Sequence, residues 1–118
     1  MSLTKEQILE ANKARPIEKV TIPEWGGDVY IHTLTVGQRL SLAEETQKKN
    51  GNATFFIQLV ALTTHDDKGN KIWNGDASSI NDLDGIATQR IFDAAAKLNG
   101  FAEEEVKELT GKSEPAQS

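Results

Sequence analysis

The sequence predicts an α+β fold: an N-terminal β-hairpin packed on a mainly α-helical domain of four or five helices. Three observations predict it. Apolar and polar residues alternate through residues 20–34 on both sides of a Pro-Glu-Trp-Gly-Gly run at 23–27, the period-two signature of paired strands. Two Thr-x-x-Gln patterns, Thr4 with Gln7 and Thr35 with Gln38, have the spacing of helix capping boxes. Two long segments, 55–62 and 83–98, are rich in apolar residues at helical length and spacing. An all-helical bundle with the hairpin as an arm is the alternative.

The first capping box opens a short helix to about residue 14, with Ile8, Leu9 and Ala11 as its apolar content. Pro16 stops it and disfavours helical geometry at Arg15. So little apolar surface implies an arm, residues 1–16, that is mobile or docks on a partner. In the hairpin, Pro23 ends the first strand because it has no N–H to give a ladder. Gly26, Gly27 and Asp28 suit the positive φ of a tight reversal. Val29 and Ile31 point to one face, Tyr30, His32 and Leu34 to the other. Trp25 precedes the glycines and is expected to be at least half covered, as a lid on the core or as a contact surface.

The second capping box opens a helix over 35–49, with Val36, Leu40, Ala43 and Gln47 on one stripe. Asn50 and Gly51 read as its left-handed stop, and Asn52 as the cap of the next helix. In that helix Phe55, Phe56, Ile57, Leu59, Val60, Ala61 and Leu62 are apolar nearly all round. Such a helix is either central and buried or shared between its own domain and a partner. Residues 64–73 read as a polar turn running into a short strand at Ile72 and Trp73. A calcium loop is excluded there, because Lys68 would occupy a ligand position that needs an oxygen. Asp76 can cap a short helical segment to about residue 83. Asp84 caps a longer helix whose buried stripe is Leu83, Ala87, Ile91, Ala94 and Leu98, supported by Ile86, Phe92 and Ala95. Asn99 and Gly100 end it. A last helix over 102–110 would turn Val106 and Leu109 inward. Residues 17–110 thus form one domain, and 111–118 a polar tail expected to be disordered.

Composition narrows the function classes. The 118 residues carry 13 basic and 18 acidic side chains, a net charge of -5, and no cysteine. Disulfide and thiolate chemistry are excluded. An acidic chain does not suit nucleic acid, which needs a basic face. No apolar run approaches a membrane span, and no signal-peptide core is present, so a cytosolic protein is expected. Neither a Ser/His/Asp set, a phosphate loop nor a metal-ligand spacing occurs. His32 and His65 are the only histidines. Glu44-Glu45 and Asp66-Asp67 are adjacent pairs, whereas catalytic carboxylates converge from different elements. These readings predict a non-enzymatic protein without cofactor or metal.

The run KVTIPEWGGDVYIHTLT with the Gly-Gln-Arg helix start, and downstream AAKLNGF running into EEEV, resemble the tail assembly chaperones of long-tailed phages and prophages. The two matches bracket residues 17–109. The resemblance implies a protein that binds the tape-measure protein in the host cytoplasm and keeps it soluble during tail morphogenesis. It would be absent from the mature virion and would work as a homo-oligomer. It also implies a longer product of a -1 ribosomal frameshift that recruits the tail tube protein. The codons of Thr110-Gly111-Lys112 permit a slippery run just past the last predicted helix. The competing reading is a structural minor tail or head-tail completion subunit retained in the particle. Candidate residues for partner contact or self-association are Trp25, Tyr30, Phe55, Phe56 and Trp73.

Overall fold

The computed structural model describes residues 2–47, 51–73 and 77–101. The element order is α1 (Lys5–Asn12), β1 (Ile17–Ile22), a 3-10 turn (Pro23–Trp25), β2 (Gly27–His32), α2 (Val36–Thr46), α3 (Gly51–Thr63), β3 (Thr64–His65), a 3-10 segment (Ala77–Asp82) and α4 (Gly85–Leu98). The three strands form one antiparallel sheet in the order β1-β2-β3. Helix α4 packs on β1, β2 and the 3-10 turn, α3 packs on α4, and α2 packs on α3. The fold is therefore α+β, as the sequence predicts.

Local signals explain most element ends. Both capping boxes form: each threonine hydroxyl accepts from the N3 amide, and each glutamine side chain accepts from the cap amide. The hairpin pairs Ile17 with His32 through to Ile22 with Gly27. Ile22, Val29 and Ile31 are buried, so the alternation sets the inward face as expected. The reversal is tighter at its start than the sequence suggests. Residues 23–25 make a 3-10 turn, and Gly26 alone supplies the positive φ, at +68°. Asp84 caps α4, its Oδ2 accepting from the Ala87 amide at 2.9 Å.

Several expectations are corrected. The third strand is Thr64 and His65, not Ile72 and Trp73. Helix α3 runs directly into it, and Tyr30 and Ile31 of β2 pair with His65 and Thr64. The turn at 66–70 is built on Asp66, whose Oδ1 accepts from the Lys68 and Asn70 amides at 2.9 Å each. The chain then returns to one bridge between His65 and Lys71, which leaves Ile72 44% exposed. Gly51 opens α3 instead of stopping α2, and Asn52 lies inside α3. Helix α2 ends at Thr46 with Gln47 as its cap.

The predicted stripe of α2 faces outward. Val36 is 76% and Leu40 67% exposed, Ala43 and Gln47 are exposed, and Leu42 alone is buried, at 3%. Helix α4 buries Ala87, Thr88, Ile91, Phe92, Ala95 and Ala96, while Ile86 stands exposed. The two buried threonines at the end of α3 need no further partners. The Thr63 and Thr64 hydroxyls donate to the carbonyls of Leu59 and Val60, which satisfies them in place. The expected cap at Asp76, the helix over 102–110 and the tail 111–118 lie outside the described residues.

Candidate partner-binding surface

The apolar residues of α3 and α4 build the platform on which any surface must rest. Phe92 is the hub: its ring meets Phe55 edge-on at 5.8 Å and stacks on Phe56 at 4.6 Å. Phe101 also meets Phe55 edge-on, at 5.5 Å. Phe55 is 1% exposed and serves the core, and Phe56 is half-buried against it. Trp73 also packs half-buried on the core. Tyr30 is half-buried on β2. Trp25 keeps 42% of its surface exposed, so it is more than half covered but not a sealed lid. Among the described residues, no ring pairing joins Trp25, Tyr30 or Trp73 to the phenylalanine set. The five candidates do not converge on one patch of rings.

A clamp holds the end of α4 against the start of α2. Gly100 takes φ +77°, and the Phe101 amide donates to the Ala96 carbonyl at 2.9 Å, the bond of a Schellman stop. Asn99 then makes three links. Its Oδ1 accepts from the Leu34 amide at 2.7 Å, its Nδ2 donates to the Ala95 carbonyl at 2.9 Å, and its own carbonyl accepts from Arg39 Nη1 at 3.0 Å. The Arg39 guanidinium lies over the Phe101 ring at 4.5 Å, a cation–π contact. Beside this clamp runs a groove of about 200 Å³. Arg39, Leu42, Ala43 and Thr46 of α2, its cap Gln47, and Phe55 and Phe101 line it. A second cleft of about 160 Å³ lies between Phe56, Ile57, Ile80, Leu83 and Thr88.

Two polar features join distant segments. Arg90 of α4 grips Glu24 of the hairpin turn, with Nε at 2.9 Å and 3.2 Å from the two carboxylate oxygens and Nη2 at 2.9 Å. Such fork geometry orients as well as attracts. The Arg90 hydrogen bonds, with a backbone hydrogen bond, hold the Glu24 carboxyl below its ordinary 4.5. We expect Arg90→Gln to return the Glu24 titration toward 4.5, read by NMR of the side-chain carboxyl. An unmoved titration would mean that the pair does not persist in solution.

At the open end of the sheet the His32 and His65 rings stack at 3.6 Å, inclined by only 10°. His65 Nδ1 lies 2.8 Å from the Thr63 carbonyl, so this nitrogen carries the hydrogen, because a carbonyl only accepts. Burial, then the neighbouring His65 and Arg15, lower the His32 pKa from 6.5. Arg15 Nη1 is buried there without a hydrogen-bond partner. The folded chain therefore binds fewer protons at His32 than the unfolded chain. This contribution to stability is present above about pH 6.5 and is lost as pH falls through the lowered folded value. Melting temperature should drop between about pH 7.5 and 5.5, and the drop should shrink in His32→Gln; equal drops in both proteins would remove His32 as the cause.

Among the described residues, no three His, Asp or Glu side chains gather as a metal would need, and no helix is long and apolar enough to cross a membrane. Exposed apolar side chains stand at Val36 and Leu40 on the outward face of α2, at Ile17, Trp25, Ile72 and Ile86 elsewhere on the body, and at Leu3, Ile8 and Leu9 on the arm. No protein-family model and no curated protein matches the chain. Among solved structures, the bacteriophage HK97 tail assembly chaperone is similar, with a TM-score of 0.62 and 19% sequence identity, over 83% of this chain and 99% of that one. At that identity the likeness is one of fold, and it falls on the same family that the Pro-Glu-Trp-Gly-Gly and Leu-Asn-Gly-Phe runs resemble.

Proposed function

We propose that this protein is a tail assembly chaperone that binds and solubilises the tape-measure protein during tail morphogenesis, without catalysis and without a nucleotide or metal. The observation that carries the reading is the shared fold with the HK97 chaperone, reached independently of the sequence runs that suggest the same family. The surface is consistent with the task. A holder of an aggregation-prone helical client needs exposed apolar contacts on a body that stays soluble. Trp25, Val36, Leu40, Ile72 and Ile86 supply the contacts, and a net charge of -5 keeps the carrier apart from its own copies' non-specific association. On this reading the protein acts in the host cytoplasm and leaves before the particle is complete. A longer frameshifted form brings in the tail tube protein.

The test is co-expression with the tape-measure protein, followed by fractionation and pull-down. The client should be soluble and retained with the chaperone, and insoluble when it is expressed alone. Purified particles should lack the chain. A client equally soluble alone, or the chain as a stoichiometric component of finished particles, would replace this reading with that of a structural subunit.

A further inference from the structure

We propose that Arg15, His32 and His65 form a proton-operated latch, which holds the base of the N-terminal arm to the sheet while both imidazoles are neutral and releases it when His32 takes up a proton. The inference does not depend on the chaperone reading. It starts from how little of the arm touches the body. Residues 2–14 are all exposed, and so are residues 16–19. Arg15 alone in that stretch is partly covered, and its Nη1 is buried without a hydrogen-bond partner. The side chain that fixes the arm's base is therefore a permanent cation, held by cover and not by an acceptor at that nitrogen. It lies close enough to His32 for its charge to oppose a proton there.

This corner tolerates one cation and not two. The His32 and His65 rings are in stacking contact at 3.6 Å, so a proton on His32 sets a charge against the neighbouring ring and against the guanidinium together. Out of bulk water such like charges repel strongly. The carboxylates of the adjoining strands are turned or tied elsewhere. Asp28, on the same sheet face as His32, accepts from Thr21 at 2.8 Å and lies 3.7 Å from Lys19. Glu18 pairs with Ile31 and so belongs to the other face. Asp66 accepts from the Lys68 and Asn70 amides. Lys71, bridged to His65, adds a further positive charge. The attachments are unequal. His65 is 8% exposed, pairs with Tyr30 and is hydrogen-bonded to the Thr63 carbonyl at the end of α3. His32 sits on β2, which is paired on both edges. Arg15 lies on a link with exposed neighbours, so Arg15 is the group that leaves, and the Ile17–His32 end of the ladder frays with it. Burial, then His65 and Arg15, hold the His32 pKa below 6.5, so the closed latch binds fewer protons than the open one. It is closed above about pH 6.5 and opens as pH falls through the lowered value, by up to ~tenfold per pH unit for one linked proton.

NMR of the full chain between pH 7.5 and 5.0 reads the latch at its own position. The backbone heteronuclear NOEs of Arg15 and Ile17 should report order at pH 7.5 and fall on acidification, with the midpoint of the His32 ring titration. Amide protection at Ile91 and Phe92, corrected for intrinsic exchange, should persist at pH 5.0, which separates release of the arm from unfolding of the domain. In His32→Gln, residues 15–17 should stay ordered at both ends of the range. Arg15→Gln should move the His32 titration up toward 6.5 and abolish the pH dependence at Ile17. Arg15→Lys, which keeps the charge, should retain the lowered titration and the release. The proposal is overturned by order at residues 15–17 that does not change with pH in the natural chain, by a change that survives in His32→Gln or Arg15→Gln, or by a loss that comes only together with protection at Ile91 and Phe92.

Discussion

Phe92→Ala should destabilise the domain by about 3–5 kcal/mol, the range for emptying a fully buried aromatic site. Phe92 is 1% exposed and belongs to the face by which α4 meets α3. Its ring has two partners on α3, Phe55 edge-on and Phe56 face-on. Alanine therefore removes burial and two ring contacts together, each of the latter worth ~0.5–1.5 kcal/mol beyond area. Phe55 is also engaged edge-on by Phe101, which restrains it from moving into the space. Domains of this kind have ~5–15 kcal/mol in total, so the variant loses a large share of its stability. Phe92→Leu, which keeps most of the volume, should cost less than half as much. Leu40→Ala, at 67% exposure on the outward face of α2, should stay within about 0.5 kcal/mol. Urea unfolding with matched m-values measures all three. Equal losses for Phe92→Ala and Leu40→Ala would show that the packing between α3 and α4 does not hold the domain together.

What the sequence made legible was local. The two capping boxes, the Asp84 cap, the end of β1 at Pro23 and the left-handed glycines at 26 and 100 each depend on residues within one turn, and each formed. The inward face of the hairpin was legible because alternation over six residues admits one register. Orientation was less so. Helix α2 has two narrow apolar faces, one with Val36, Leu40 and Ala43, the other with Leu42, and only the crossing with α3 decides which is buried. The third strand was hidden because Thr64 and His65 look like loop residues until Tyr30 and Ile31 stand beside them. Thr88 and Ala96 take core places because α4 meets both α3 and the sheet, so it buries more than one stripe. The pairs that tie the fold together, Glu24 with Arg90 and Leu34 with Asn99, are separated by 66 and 65 residues, beyond any periodic signal. Among the candidate contact residues Phe55 is buried in the core, and the stripe of α2, evident from its spacing, faces outward.

Asn99→Ala should cost about 1–3 kcal/mol, the range for leaving a buried polar group without its partner. The residue matters through geometry that alanine cannot reproduce. Its Oδ1 is the acceptor for the Leu34 amide at 2.7 Å, in the link between β2 and α2. Its Nδ2 donates to the Ala95 carbonyl, which also accepts from the Asn99 backbone amide, so side chain and main chain together close the last turn of α4. Asn99→Asp separates the two roles. It retains the acceptor for Leu34 and strengthens it with charge, but it loses the donor and adds a negative charge at the negative end of α4, a penalty of ~0.3–1 kcal/mol. Arg39, already bonded to the Asn99 carbonyl, offsets part of that penalty. The expected order of stability is therefore natural chain, then Asn99→Asp, then Asn99→Ala. Hydrogen exchange gives the sharper reading. The Leu34 amide should exchange much faster in Asn99→Ala and stay protected in Asn99→Asp, while the Ala95–Leu98 end of α4 loosens in both. If Leu34 remains protected in Asn99→Ala, another group holds the start of α2 against α4. The Leu-Asn-Gly-Phe run would then be a helix stop and nothing more.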